Sequence, residues 1–196
     1  MDIKFLALGD SYTIGESVPE HERWPEQLAD ALRATGRRIE KPRIIAVTGW
    51  RTDQLKNAIL EANLKNEWSL VSLLIGVNNQ YQKKSAESYR PEFGELLDMA
   101  IALAGGKKEN VFVLSIPDYG YTPFGKPNQV AISKAIDEFN AVNRSITEKK
   151  GIKYINITDL TRDGLDAPEY VAGDGLHPSG KMYARWVERI VPLLTK

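Results

Sequence analysis

The chain has 196 residues, 42% of them hydrophobic, with 26 basic residues balanced by 26 acidic ones. That length suits one domain with a buried core, and the zero net charge excludes the bulk positive field that holds nucleic acid or an anionic membrane surface. The absence of cysteine excludes disulfides, thiolate nucleophiles and cysteine-ligated metals. No apolar run approaches the length that crosses a membrane.

Residues 3–8 form a near-continuous apolar run and predict a strand buried on both faces. The run begins at once, with no charged and apolar leader before it. This predicts a cytoplasmic protein, or one whose leader has been removed. Gly9-Asp10-Ser11 follows the strand. The polar segment 15–23 reads as irregular and carries His21, expected to face solvent. Trp24, Leu28, Ala31 and Leu32 mark a helical stripe. A second strand is predicted over 43–48, then Gly49, then a short helix over 52–62 carrying Leu55 and Ile59. Residues 70–75 predict a third strand, followed by Gly76 and Asn78 in an irregular stretch, 77–85.

Phe93, Leu96, Leu97, Ala100, Ile101 and Ala104 form a strong helical stripe that stops at Gly105-Gly106. A fourth strand over 111–116 leads into an irregular segment, 117–127. Its Tyr119, Tyr121 and Phe124 can wall a pocket or cover core. Ile132, Ala135, Ile136, Phe139, Val142 and Ile146 mark the next helix, and residues 152–157 a fifth strand. After the irregular stretch 159–173, Pro178 is expected to start a last helix over 179–194, with Met182, Trp186 and Ile190 spaced by four. Strand and helix alternate throughout. The whole of 1–196 is therefore expected to be one α/β domain, a three-layer αβα sandwich on a five-stranded parallel sheet.

Ligands of an open α/β sheet bind beyond the carboxyl ends of its strands. The polar outliers of this chain fall there: Asp10-Ser11, Gly49, Asn78, and the segment Asp174-Gly175-Leu176-His177-Pro178. A serine hydroxyl is a weak nucleophile and needs a base beside it. The chain has two histidines, and His177 lies three residues after Asp174. On one helical turn that spacing puts both on a shared face. Asp174 would hold Nδ1–H and leave Nε2 to take the Ser11 proton. A tetrahedral intermediate also needs donors, for which the backbone N–H of Ser11 and of Gly49 and the side-chain amide of Asn78 are candidates. Asp10 is expected to brace the nucleophile loop. Trp50 and Arg51 adjoin Gly49 and are candidate substrate contacts, although Trp50 fits a packing role equally well.

Taken together, these blocks resemble the SGNH hydrolases, or GDSL lipase/esterase family. Gly9-Asp10-Ser11-Tyr12-Thr13-Ile14-Gly15 is similar to the first block, Gly49 to the second, Gly76-Val77-Asn78-Asn79 to the third and Asp174–Pro178 to the last. Tyr12 stands where the family name implies leucine, and Asn79 where aspartate is common. The resemblance implies a flavodoxin-like fold, Ser11, Asp174 and His177 as triad, and no metal or organic cofactor. Lipid esters, thioesters and acetylated sugars are all substrates within such a family.

The leading expectation is therefore a serine esterase acting on a small-molecule ester. A carbohydrate acetyl esterase is the nearest alternative, because Arg51, Asn79 and Gln80 suit a sugar; a lysophospholipase or thioesterase is another. The polar loop from Asn78 to Gln82 does not suggest the apolar patch that a long-chain lipase needs. Tyr119 and Asn79 complete the candidate substrate contacts. Outside this class stands a non-catalytic binder such as a flavin carrier, which would need a Ser/Thr/Gly-rich phosphate loop after the first strand.

Overall fold

The computed structural model describes residues 2–195, so the domain expected over 1–196 is seen without its first and last residues. Five parallel strands form one sheet: β1 (Phe5–Gly9), β2 (Arg43–Ala46), β3 (Leu70–Leu74), β4 (Val111–Leu114) and β5 (Lys153–Ile155). Their order is β2-β1-β3-β4-β5. β1 and β3 are buried at every position, which is why they read as unbroken apolar runs.

The chain leaves β1 toward β2, then reverses to β3 on the other side. Right-handed crossovers therefore put the first connecting helix on one face and the later ones on the other. α2 (Trp24–Ala34) packs against the last helix, α8 (Gly180–Leu194). α3 (Thr52–Glu61), α5 (Ala86–Leu103) and α6 (Gln129–Lys149) form the opposite layer. Fully buried Trp24 joins α2 to the sheet, its ring 6.1 Å from Phe5 and 6.4 Å from Phe112.

Several boundaries differ from those expected. β2 stops at Ala46 because its partner β1 runs out at Gly9, the last rung of their ladder. β5 stops at Ile155, where Ser115 Oγ takes over and accepts from the N–H groups of Ile157 and Thr158. Pro178 does not open the last helix; it bridges to Val171, and Ser179 caps Met182 N–H instead, an acceptor role proline cannot fill. On α2, Ala29 is buried and Ala31 only half-buried. The stretches expected to be irregular contain single helical turns: α4 (Val77–Tyr81), α7 (Thr158–Thr161) and 3₁₀ turns at Glu20–Glu22, Tyr119–Tyr121, Lys126–Asn128 and Pro168–Tyr170. A further turn, α1 (Ser11–Ile14), begins at the candidate nucleophile. Elements this short carry too few residues for a 3.6-residue period to show.

Candidate active site

The switch of direction at β1 leaves a crevice at the carboxyl ends of β1 and its neighbours. Ser11 follows β1, Gly49 lies beyond β2, Asn78 lies beyond β3, and His177 arrives from the loop before α8. All four line one cavity of about 290 Å³ with Tyr12, Thr48, Val77, Tyr81, Tyr119, Phe124 and Leu176.

Ser11 is buried at the start of α1, where Asp10 caps the turn by accepting from Tyr12 N–H. Asp10 is itself buried, and its second carboxylate oxygen has no partner. Burial pushes its carboxyl up to about 7, against the N–H of Tyr12, which pulls the other way. Asp10 therefore braces the Ser11 loop through the backbone.

The Asp174–His177 segment is a turn, not a turn of helix. Oδ1 of Asp174 accepts from the backbone N–H groups of Leu176 and His177, at 2.9 and 3.0 Å. Its Oδ2 lies 2.6 Å from His177 Nδ1 and also accepts from Ser17 Oγ at 2.7 Å. Burial alone would raise this carboxyl. The bonds from Ser17, from the imidazole and from the two backbone N–H groups outweigh it and hold Asp174 well below the usual carboxylate range. The pairing commits Nδ1 and leaves Nε2 as the available ring nitrogen. The Tyr12 ring stands edge-on to the imidazole, centroids 5.7 Å apart. Among the described residues, no hydrogen bond joins the Ser11 hydroxyl to the imidazole in this conformation; the two side chains share the cavity wall.

At the same cavity, Gly49 adopts φ +86° with no heavy atom within 4 Å of where a Cβ would sit. Asn78 occupies α4, and one of its amide hydrogens is bonded to Trp50 O at 2.9 Å. Its second amide hydrogen remains for another acceptor.

The candidate substrate contacts fare differently. Only Tyr119 lines the cavity. Trp50 is half-buried and packs on the core. Arg51 is tied to Asp53 and Gln82. Asn79 is fully buried, bonded to Thr52 and Glu92. His21 faces solvent, and Tyr121 lies under the Arg162 guanidinium outside the cavity. Residues the sequence did not single out are Ser17, Val77, Tyr81 and Leu176. Tyr81 had a usable signal, since it follows Asn78 by three residues on α4; the partnership of Ser17 with Asp174 spans 157 positions and had none.

An open parallel sheet that brings a serine and a histidine–carboxylate pair to its switch point has the plan of a hydrolase. The chain belongs to the GDSL-like lipase/acylhydrolase family, whose model matches residues 7–185. Among solved structures it is similar to a member of the lipolytic G-D-S-L family from Veillonella parvula, at 16% identity over 99% of both chains with a TM-score of 0.74. It is also similar to Axe2, an acetylxylan esterase from Geobacillus stearothermophilus, at 17% identity over 100% of this chain and 97% of that one with a TM-score of 0.75. A third is the psychrotrophic esterase EstA from Pseudoalteromonas, at 18% identity over 100% of both chains with a TM-score of 0.71. No curated protein matches the chain in sequence. Among the described residues, no helix is long and apolar enough to cross a membrane.

Proposed function

We propose that the protein is a serine esterase that hydrolyses a small carboxylic ester through an acyl-Ser11 intermediate. The observation that carries this reading is the 2.6 Å bond between His177 Nδ1 and Asp174, in a cavity shared with Ser11. Asp174 fixes the imidazole tautomer and faces it with a negative charge. His177 Nε2 then takes the Ser11 proton as Oγ bonds to the ester carbonyl carbon. Oxygen of that carbonyl becomes an oxyanion facing the N–H groups of Ser11 and Gly49 and the free amide hydrogen of Asn78. Collapse breaks the bond to the alcohol, which leaves with the proton from His177. Water, deprotonated by the same imidazole, releases the acid. Pre-formed donors are worth most in a site with little water, which suits buried Ser11 and His177.

Residues 11–14 form a tight helical turn with Thr13 fully buried, so the loop after β1 offers no open hydroxyl cradle for a flavin phosphate. That observation weighs against the binder alternative.

The test is covalent labelling. A fluorophosphonate probe is expected to modify Ser11, and Ser11→Ala to abolish labelling and lower p-nitrophenyl acetate turnover by about 10⁴-fold or more. Labelling elsewhere, or an active Ser11→Ala protein, refutes the assignment.

A further inference from the structure

Tyr81 and Phe124 are each about half exposed, at 55% and 51%, and both line the cavity over Ser11. With Tyr119 they form a triangle of rings whose centroids lie 6.2, 6.2 and 6.4 Å apart. Val77 and Leu176 extend the apolar lining. Clustered exposed apolar side chains in a cleft are a recurrent mark of a ligand surface.

The polar groups that would read a sugar are turned to other tasks. Arg51 is held by Asp53 and Gln82. Asn79 lies beneath the surface with Thr52 and Glu92. Gln80 accepts from Tyr119 Oη at 2.9 Å, and Thr48 Oγ1 donates to Glu16. A pyranose stacked on these rings would find most of these groups already engaged, whereas a hydrocarbon chain needs no polar partner. The apolar patch that the polar sequence around Asn78 did not suggest is therefore present, built by Tyr81 from α4 and by Tyr119 and Phe124 from the loop after β4.

Resting on the esterase reading above, we infer that this aromatic wall binds the acyl half of the ester and selects medium-length apolar acyl groups over acetylated sugars. The side follows from chain geometry. Tyr81 lies one helical turn beyond Asn78 on α4, so the wall continues from the amide facing the oxyanion. The leaving alcohol has to sit by the imidazole that protonates it, where Leu176 and Phe124, whose N–H donates to Gly175 O at 3.0 Å, border the His177 loop; the acyl substituent is left to the α4 side, walled by Val77, Tyr81 and Tyr119. Size follows from volume. At about 290 Å³ the cavity lies at the low end of ligand pockets, room for a medium chain, and the end of a longer one would pass half-exposed Tyr81 and Phe124 into water.

The experiment measures kcat/KM for p-nitrophenyl acetate, butyrate, hexanoate, octanoate and palmitate, and for acetates of alcohols of rising length. Values are expected to rise by up to about fourfold per acyl methylene as far as hexanoate or octanoate, and to rise no further for palmitate. Acetylated xylooligosaccharide is expected to be cleaved more slowly than hexanoate. In the double variant Tyr81→Ala/Phe124→Ala the ratio of hexanoate to acetate is expected to collapse toward one. Taking a ratio removes any general loss of activity, and the exposure of both rings keeps the fold intact. A wild-type preference for acetate, a dependence on alcohol length instead, an unchanged ratio in the variant, or faster cleavage of the acetylated sugar would each overturn the inference with the esterase reading intact. Failure of that reading looks different: no ester turned over and no labelling of Ser11.

Discussion

The hydroxyl of Ser17 donates to Asp174 Oδ2 at 2.7 Å, binding the same oxygen that faces the His177 imidazole. Ser17 belongs to the loop that follows the helical turn of Ser11, and it adopts φ +65°, a left-handed conformation uncommon outside glycine. Its neighbour Glu16 accepts from Thr48, the residue before Gly49. Two consecutive side chains thus tie the Ser11 loop to the Gly49 loop and to Asp174. The hydrogen bond serves orientation, so its loss should appear in kcat. Ser17→Ala and Ser17→Gly are both expected to lower kcat about tenfold with KM unchanged, the scale of one bond to a charged group. Glycine relaxes the backbone while removing the same hydroxyl. A loss in the alanine variant alone would trace the effect to backbone strain instead.

Asp10 makes stability depend on pH in a direction opposite to most carboxylates. Burial holds its folded value at about 7, whereas the unfolded chain releases this proton near pH 4. Between those values the folded state binds more protons, so its stability falls as pH rises from about 4 to about 7. Ionised Asp10 costs on the order of 4 kcal/mol at the upper end. Asp10→Asn keeps an oxygen for the Tyr12 N–H and removes the charge. The difference in melting temperature, variant minus wild type, is expected to grow from pH 4.5 to pH 8. A constant difference would show that the carboxyl is not held neutral.

How much of this was legible differs between core and site. β1 and β3 read clearly because strands buried on both faces have unbroken apolar runs, and the blocks around Ser11, Gly49, Asn78 and His177 read clearly because each follows a strand or precedes a helix. What stayed hidden depends on where side chains end. Arg51 and Asn79 are polar in sequence, yet each is consumed by a neighbour, Asp53 in one case and Thr52 in the other. Tyr81 is one aromatic in a polar stretch and becomes part of a wall only when Tyr119 and Phe124 arrive from a loop about 40 residues further on. The turn at Asp174 looked like a helical spacing because His177 follows Asp174 by three positions in either geometry; backbone N–H groups bonded to Oδ1 are what a turn adds.

Two glycines in the site should respond differently to alanine. At Gly49 nothing crowds the added methyl group, and the change costs only the left-handed strain of about 1–2 kcal/mol. The fold is expected to survive with Tm lowered by a few degrees, while kcat falls about 10²-fold if the proposed oxyanion donor is displaced. At Gly9 the methyl group would press on Leu74 O of β3 at 2.6 Å and on buried Thr13 of α1, both packed against the sheet. Gly9→Ala is expected to yield little folded protein. Thermal melts alongside turnover separate the two outcomes; equal melting temperatures for both variants would contradict the packing described at β1.

Asn140 shows how far from Ser11 the cavity wall is anchored. Buried on α6, it accepts from Ile116 N–H at 2.7 Å and donates to Ile116 O at 3.0 Å, pairing both edges of its amide with one residue at the end of β4. The same amide reaches Thr158 Oγ1, which also donates to Ile116 O. From Ile116 the chain runs through Pro117 and Asp118 to Tyr119, with Asp118 buried and paired to Arg162. Asn140→Leu fills the space without replacing the bonds and leaves a buried N–H unpaired. It is expected to destabilise the fold by about 2–4 kcal/mol, read from chemical denaturation. Because Tyr119 hangs from this segment, the variant should also raise KM for hexanoate esters more than for acetate, at temperatures where it remains folded. Asn140→Asp, which keeps the acceptor for Ile116 N–H but sets a carboxylate against Ile116 O, is expected to lose stability as pH rises and the added carboxyl ionises. A stability difference from wild type that does not change with pH would mean that the amide does not bind Ile116 through both its edges.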